Sequence, residues 1–143
     1  MSEVVPIVLL VEDSEDDAFA MRRALKKTGM AADLREVVDG RRAIDYLGGK
    51  GDYVDRQVHP LPDVMLLDLK MPYMNGFEVL AWMREQSSLP NIRIAILTGS
   101  DETRDHERAT SLGADDYIVK PADPDDLRRI LETAIASALT GSV

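Results

Sequence analysis

Four short apolar runs in this chain each end at a polar residue, and this arrangement constrains the fold more than any other feature. The runs are continuous rather than alternating, which is typical of strands buried on both faces of a parallel sheet. Each run and its following residues are Ile7–Val11 before Glu12 and Asp13, Val64–Leu67 before Asp68, residues 94–97 before Thr98, and residues 117–119 before Lys120. Open α/β sheets bind ligands outside the carboxyl ends of their strands. We therefore expect these polar side chains to meet at one edge of the sheet.

Stretches with apolar residues at helical spacing separate the strands along the chain. A weaker strand is predicted at residues 32–38, which gives five strands and five helices in alternation. Residue types that cap helix N-termini stand at four predicted helix starts: Ser14, Asn75, Asp101 and Asp123. Because crossovers between parallel strands are right-handed, this order predicts an α/β fold with a parallel sheet between two helical layers. We assign residues 6–139 to this one domain and expect no output domain.

Charge and composition exclude several classes of function. Of the 143 residues, 26 are acidic and 17 are basic, so the net charge is -9 and the surface repels nucleic acid phosphates. The chain has no cysteine, which removes disulfides, thiolate metal sites and thiol catalysis. The pattern of a signal peptide is absent, and no apolar run approaches ~18 residues. We therefore expect a cytoplasmic protein whose partners include neither nucleic acid nor a membrane.

The polar residues at the expected sheet edge suit phosphoryl transfer to a carboxylate. Mg²⁺ takes oxygen ligands, and Glu12, Asp13 and Asp68 supply carboxylate oxygens. Without a cation, each carboxylate pair at ~4 Å would repel by about 4 kcal/mol at an effective dielectric constant of ~20. An aspartate can attack phosphorus to form an acyl phosphate, while a metal ion and Lys120 neutralise the charge. Thr98 would donate a hydrogen bond to the phosphoryl oxygens.

The segments around these residues resemble the receiver domains of two-component response regulators over nearly the whole chain, residues 7–138. The matching motifs are Leu10-Val11-Glu12-Asp13, residues 66–72 with Asn75-Gly76 after them, Leu97-Thr98-Gly99-Ser100, residues 113–117, and Lys120-Pro121. The resemblance implies a flavodoxin-like (βα)5 fold, a three-layer sandwich with sheet order 2-1-3-4-5. It also implies a phosphoacceptor rather than an enzyme, with self-phosphorylation and slow self-hydrolysis as its only chemistry.

The resemblance also implies roles for individual residues. Asp68 would take a phosphoryl group from the phosphohistidine of a sensor histidine kinase or histidine phosphotransfer protein. Glu12 and Asp13 look like the metal-binding acidic pair for Mg²⁺, with the Lys70 backbone carbonyl as a further ligand. Thr98 and Tyr117 look like the switch pair, which would change the surface made by the fourth helix, fifth strand and fifth helix. Lys120 looks like the phosphate-contacting lysine, and a cis bond to Pro121 is expected.

Partners follow from the resemblance only at the level of classes. The implied partners are the phosphodonor, a downstream protein that reads the switched surface, and a second copy of the chain in a homodimer. A long loop, residues 48–62, precedes the third strand, where short connections are the rule. We interpret this loop as a flexible surface excursion. With such a loop and no expected output domain, the chain resembles the stand-alone regulators that are paired with phytochrome-type kinases. Ala122 departs from the family pattern, in which an aromatic residue is frequent.

Two other functions remain open from the sequence. A phosphatase of the haloacid dehalogenase type also uses an aspartate after a strand, but it needs a second aspartate two residues later, where this chain has Lys70. A receiver-like interaction module that acts without phosphorylation would keep the fold and lose the chemistry. The complete set of Glu12, Asp13, Asp68, Thr98 and Lys120 favours the phosphorylated switch.

Overall fold

Strands and helices alternate strictly from one end of the chain to the other. The computed structural model describes residues 5–139. The strands are β1 Ile7–Val11, β2 Asp33–Val37, β3 Val64–Leu67, β4 Arg93–Thr98 and β5 Asp116–Val119. The helices are α1 Glu15–Lys27, α2 Gly40–Gly48, α3 Gly76–Arg84, α4 Thr103–Ser111 and α5 Pro124–Leu139. No helix in this part of the chain is both long and apolar enough to cross a membrane.

The five strands form one parallel sheet in the order β2-β1-β3-β4-β5. This order confirms the predicted flavodoxin-like α/β fold. In the register of the sheet, Val11 stands opposite both Val37 and Leu67, so β1, β2 and β3 end level with one another. The Asp68 amide then continues the ladder by donating to the Val11 carbonyl at 3.2 Å. The residues that follow β1 and β3 are consequently neighbours.

Each central strand contributes apolar side chains to two separate cores, because successive side chains point to opposite faces of a sheet. Leu9 and Leu67 pack with α2, α3 and α4 on one face, and Val8 and Leu66 pack with α1 and α5 on the other. All four side chains are almost completely buried. Burial on both faces explains why the strands are continuous apolar runs.

Three of the four predicted helix caps are present. Ser14 Oγ accepts from the Asp17 amide at 3.3 Å, Asn75 forms a full capping box with Glu78, and Asp123 accepts from the Asp125 amide at 2.9 Å. The prediction for Asp101 is wrong.

Helix α4 starts one residue later than predicted, after Glu102, whose side chain makes no capping hydrogen bond. The Ser100 hydroxyl binds the start of α4 instead, because it accepts a hydrogen bond from the Glu102 amide at 3.3 Å and donates one to Asp105 at 2.7 Å. A tertiary contact therefore replaces the local cap that the sequence favoured.

The long connection after α2 is held against that helix rather than extending freely. Gly49 ends α2 with a φ of 66°, a left-handed conformation that glycine adopts without a steric penalty. Arg56 donates to the carbonyl groups of Tyr46 at 2.7 Å and Leu47 at 2.8 Å, which satisfies acceptors at the end of α2. Tyr46 also donates its hydroxyl to the Pro60 carbonyl at 2.8 Å, so the loop is anchored at two points.

Candidate functional site

Three carboxylates lie together where β1 and β3 end. Glu12, Asp13 and Asp68 each offer a carboxylate oxygen, and these oxygens all lie within 4.8 Å of one another. Glu12 and Asp68 are buried, with 5% and 6% of their surface exposed, whereas Asp13 is exposed. The level ends of the two strands produce this cluster, as the sequence predicted.

Lys120 reaches the same cluster from the end of β5, on the far side of β4. Its ammonium nitrogen lies 2.7 Å from Glu12 Oε2 and 3.6 Å from Asp68 Oδ2. It also lies 2.7 Å from Asp17 Oδ2, a contact that the sequence analysis missed. Asp17 comes three residues after the cap Ser14, in the first turn of a helix that begins at this edge of the sheet. That position could have indicated that Asp17 lies near the cluster.

The predicted cis bond between Lys120 and Pro121 is wrong. No peptide bond between residues 5 and 139 is cis. The trans form is lower in energy by about 0.5–1 kcal/mol for a bond to proline. In this trans geometry, Lys120 already makes its contacts with Glu12 and Asp17.

The environment of the cluster shifts two pKa values. Burial raises the pKa of Glu12 to about 7, although hydrogen bonds from Lys120 and the Ser14 amide oppose the shift. Burial disfavours the charged form of Lys120, but hydrogen bonds to Asp17 and Glu12 outweigh it and raise the pKa of the ammonium above its ordinary value. Lys120 is therefore a permanent positive charge within an excess of carboxylates.

The donor set fits a hard divalent cation. Buried Glu12, buried Asp68 and exposed Asp13 offer carboxylate oxygens, the ligands that Mg²⁺ takes in proteins, and one side of the cluster is open to water. The raised pKa of Glu12 comes first from its burial, and the nearby Asp68 carboxylate adds to the shift. Asp68 Oδ1 also accepts from the Lys70 amide at 3.3 Å, which fixes the direction of this carboxylate. The role of the Lys70 carbonyl stays a prediction.

A cleft of about 510 Å³ opens above Asp68. Its walls are Asp17, Asp68, Lys70, Gly99, Ser100, Asp101, Glu102 and Lys120. Thr98 is fully buried at the end of β4, and its hydroxyl accepts from the Ser100 amide at 3.3 Å. The Thr98 hydroxyl is therefore engaged by its own loop, while the neighbouring Gly99 and Ser100 line the cleft.

Tyr117 lies on β5 and contacts the β4–α4 loop. Its hydroxyl donates to the Ser100 carbonyl at 2.9 Å, and its ring stacks on the His106 ring at a centroid distance of 4.6 Å and an interplanar angle of 12°. His106 lies exposed on α4. The stack depends on how α4 packs beside β5, which no local pattern reports.

Asp105 is a further buried carboxylate that the sequence analysis missed. Only 6% of its surface is exposed, and it accepts from Ser100 Oγ at 2.7 Å and from Lys70 Nζ at 3.0 Å. These hydrogen bonds, first that of Ser100, hold the pKa of Asp105 below its ordinary value. Lys70 thus connects the loop after Asp68 to α4. Asp105 has a polar neighbour on either side in the sequence, so no pattern marks it.

Comparison with known proteins decides the family. A model of the response regulator receiver domain matches residues 8–132. The chain belongs to this family. A curated relative of the receiver domain, the probable methanogenesis regulatory protein FilR2 of Methanothrix harundinacea, is 34% identical over 131 residues, which cover 88% of this chain and 79% of the relative.

Two solved structures resemble the receiver domain closely. The phosphorylated cyanobacterial phytochrome response regulator RcpA superposes with a TM-score of 0.86 at 28% identity and covers 98% of both chains. The Mn²⁺-bound form of response regulator Rcp1, a protein of Synechocystis, superposes with a TM-score of 0.80 at 30% identity over 96% of both chains. Both comparisons extend over almost the whole receiver domain.

Proposed function

We propose that this receiver domain is a phosphorylation switch that accepts a phosphoryl group on Asp68. The donor is the phosphohistidine of a sensor histidine kinase or of a histidine phosphotransfer protein. One observation carries the proposal: Asp68 lies within 4.8 Å of two further carboxylates and 3.6 Å from the Lys120 ammonium, beneath an open cleft. This arrangement suits a carboxylate nucleophile whose phosphorylated form is stabilised by positive charge.

The transfer is a displacement at phosphorus. An oxygen of the Asp68 carboxylate forms a new bond to phosphorus as the bond between phosphorus and the donor imidazole nitrogen breaks. The imidazole nitrogen keeps the electron pair and takes a proton from water. The switch returns to its resting state by hydrolysis: water attacks phosphorus, the bond between phosphorus and the Asp68 oxygen breaks, and inorganic phosphate leaves. Apart from this self-phosphorylation and self-hydrolysis, the domain is not an enzyme.

The chain's own residues prepare this step. The Lys70 amide orients the nucleophilic carboxylate, and Lys120 faces the position at which negative charge accumulates. Glu12, Asp13 and Asp68 would hold Mg²⁺, with the Lys70 carbonyl as a further ligand. When bound, the ion neutralises charge between the carboxylates and the phosphoryl oxygens. The Mn²⁺-bound form of the neighbour Rcp1 supports a divalent metal in this family.

The signal leaves through Thr98 and Tyr117. A phosphoryl group on Asp68 attracts the Thr98 hydroxyl away from the Ser100 amide, and the Tyr117 ring turns into the space that the β4–α4 loop vacates. Tyr117 then leaves its stack with His106, which changes the surface formed by α4, β5 and α5. A downstream protein, or a second copy of the chain, responds because its affinity for the two surfaces differs.

The relatives support a class of phosphodonor. The structural similarity to a phytochrome response regulator supports a phytochrome-type kinase as donor. The proposed setting is the cytoplasm. We infer that residues 6–139 act as one receiver domain. The phosphatase alternative is disfavoured because the Lys70 side chain, where a general acid would be needed, is paired with Asp105 at 3.0 Å.

The proposal is tested by mass measurement of the intact protein. Wild-type chain is incubated with acetyl phosphate, with and without Mg²⁺, and the adduct is expected only in the presence of the metal. Asp68→Asn is expected to abolish it, whereas Asp16→Asn, an exposed carboxylate on α1, serves as the control and should leave it intact. An adduct that persists in Asp68→Asn, or no adduct on wild type with any donor, contradicts the proposal.

A further inference from the structure

Tyr73 combines a strained backbone with a fully exposed ring. It stands in the acceptor loop, residues 69–75, which joins β3 to α3. Its φ is 66°, and it is the single non-glycine residue with positive φ between residues 5 and 139. The Met74 amide donates to the Pro72 carbonyl at 2.7 Å, so Tyr73 is the centre of a three-residue turn. A turn of this kind with positive φ is the rare and strained one, especially for a bulky residue.

The Tyr73 side chain is packed against neither layer of helices. The relative exposure of Tyr73 is 102%, and the ring belongs to neither apolar core. Asparagine and glycine adopt positive φ at lower energy and leave no apolar surface in water. Tyrosine at this position is therefore unfavourable for the isolated chain on two grounds, and strain of this kind clusters at functional sites.

The surrounding structure holds the turn in place. The Gly76 amide donates to the Leu69 carbonyl at 3.1 Å, which closes the base of the acceptor loop. Gly76 packs so tightly that a Cβ there would lie 2.5 Å from the Asp68 carbonyl oxygen. A Cβ on Gly40 of α2 would likewise lie 2.5 Å from the Met74 carbonyl oxygen. The position of Tyr73 relative to Asp68 is consequently fixed before any partner binds.

We propose that Tyr73 is a docking residue for the phosphodonor protein, a contact that rests on the function proposed above. Asp68 is 6% exposed at the base of its cleft, so a protein donor must cover the rim to bring its histidine within reach. Tyr73 lies five positions after Asp68, no more than ~18 Å of extended chain away, on a loop whose base closes beside Asp68. Exposed, preorganised aromatic rings are typical anchors of protein interfaces.

A comparison of two donors tests this inference. The protein donor is the autophosphorylated histidine kinase that transfers fastest to the wild-type chain among a panel of purified kinases, and the small donor is acetyl phosphate. Tyr73→Asn is expected to lower kcat/KM with the kinase by about tenfold, mainly through KM, because an anchor residue contributes on this scale. The rate with acetyl phosphate should stay within about twofold, since a small donor does not cover the rim.

Two variants provide controls. Tyr73→Phe keeps the ring and should accept phosphoryl groups from the kinase at the wild-type rate. Val54→Asn removes an exposed apolar side chain outside the acceptor loop and should change the rate with neither donor. Thermal unfolding of Tyr73→Asn is expected at or above the wild-type temperature, because asparagine tolerates the positive φ. A fall in kinase transfer without a fall in stability is a result that a structural role does not give.

The outcomes separate the two proposals. Equal kinase transfer by wild type and Tyr73→Asn overturns the docking role, as does an equal loss with both donors. Loss of a downstream partner with kinase transfer intact would assign the ring to the receiving protein and overturn the donor assignment. If wild type takes a phosphoryl group from neither donor, the proposed function fails, and the docking role fails with it.

Discussion

The ammonium nitrogen of Lys120 lies 2.7 Å from Glu12 Oε2, although 108 positions separate the two residues in the chain. The contact spans the sheet from the end of β5 to the end of β1, and Asp17 of α1 completes it. Both partners are largely buried, so this ion pair is screened little by solvent.

Replacement of Lys120 by alanine tests this pair. We expect the free energy of unfolding to fall by about 1.5–3 kcal/mol, the scale of a hydrogen bond between charged groups, because Glu12 loses its counter-charge. Urea denaturation measures the change, and Lys50→Ala, at an exposed lysine, should change little. In the proposed switch, Lys120→Ala would also be phosphorylated without altering partner affinity. An unaltered partner response would count against the role of Lys120.

Mg²⁺ is expected to stabilise the fold through the carboxylate cluster. A ligand that binds only the folded state at about 100 times its Kd adds about 2.7 kcal/mol to the free energy of unfolding. Asp13→Asn removes an exposed ligand without disturbing the core and should abolish most of this gain, whereas Asp16→Asn should keep it. Thermal unfolding with and without Mg²⁺ measures both. Equal stabilisation of the Asp13→Asn variant would place the ion elsewhere.

Asp105 is expected to contribute stability that depends on pH. Its pKa lies below the ordinary value of 3.8 because Ser100 and Lys70 donate to the charged form. A carboxyl group with a lowered folded-state pKa stabilises the protein above its unfolded pKa, and the contribution is lost as the pH falls through the folded value. Asp105→Asn should therefore cost about 1 kcal/mol at neutral pH, a modest figure because solvent screens the exposed Lys70.

The pH profile supplies the check on Asp105. The difference in unfolding free energy between wild type and Asp105→Asn should be constant from neutral pH to about pH 5 and shrink at lower pH. Glu107→Gln, an exposed carboxyl group on the same helix, is the matched control and should show a smaller difference. A wild-type advantage that grows on acidification would reverse the assigned sign.

The stack of His106 on Tyr117 is expected to hold the switch in its resting position. An aromatic pair of this kind contributes about 0.5–1.5 kcal/mol beyond buried area, so its loss should shift binding of an acyl-phosphate mimic by about two- to tenfold. We expect His106→Ala to bind beryllofluoride more tightly in the presence of Mg²⁺, and His106→Phe to resemble wild type. Titration followed by the NMR signals of the Tyr117 ring measures the affinity. Weaker binding by His106→Ala would show that the stack favours the other state.

Much of the fold was predictable because its signals are local. Continuous apolar strands, apolar residues at helical spacing and the caps at Ser14, Asn75 and Asp123 each depend on residues close in the chain. The cap at Asp101 failed because a tertiary contact, Ser100 with Asp105, competed with it. The cis bond at Pro121 failed because it was inferred from the family rather than from a local signal.

The residues of the candidate site also divide into those that the sequence predicted and those that it missed. Glu12, Asp13, Asp68 and Lys120 follow strand ends, and the ends of parallel strands are bound to meet. Asp17 and Asp105 come from helices, whose inward faces depend on packing against the sheet. No residue near Asp105 in the sequence distinguishes it from the exposed charges of α4, yet it is as buried as Asp68.

The amino-acid sequence by itself determined the alternation of strands and helices, the sheet order through the family motifs, and the acidic residues that gather around Asp68. Only the tertiary structure decided that Lys120 also pairs with Asp17, that Lys70 turns to Asp105, and that His106 stacks on Tyr117. Hydrophobic periodicity and helix capping depend on residues that are close in the chain, so the sequence alone predicts them. Contacts between distant residues depend on strand register and helix packing, which are set by the whole core at once.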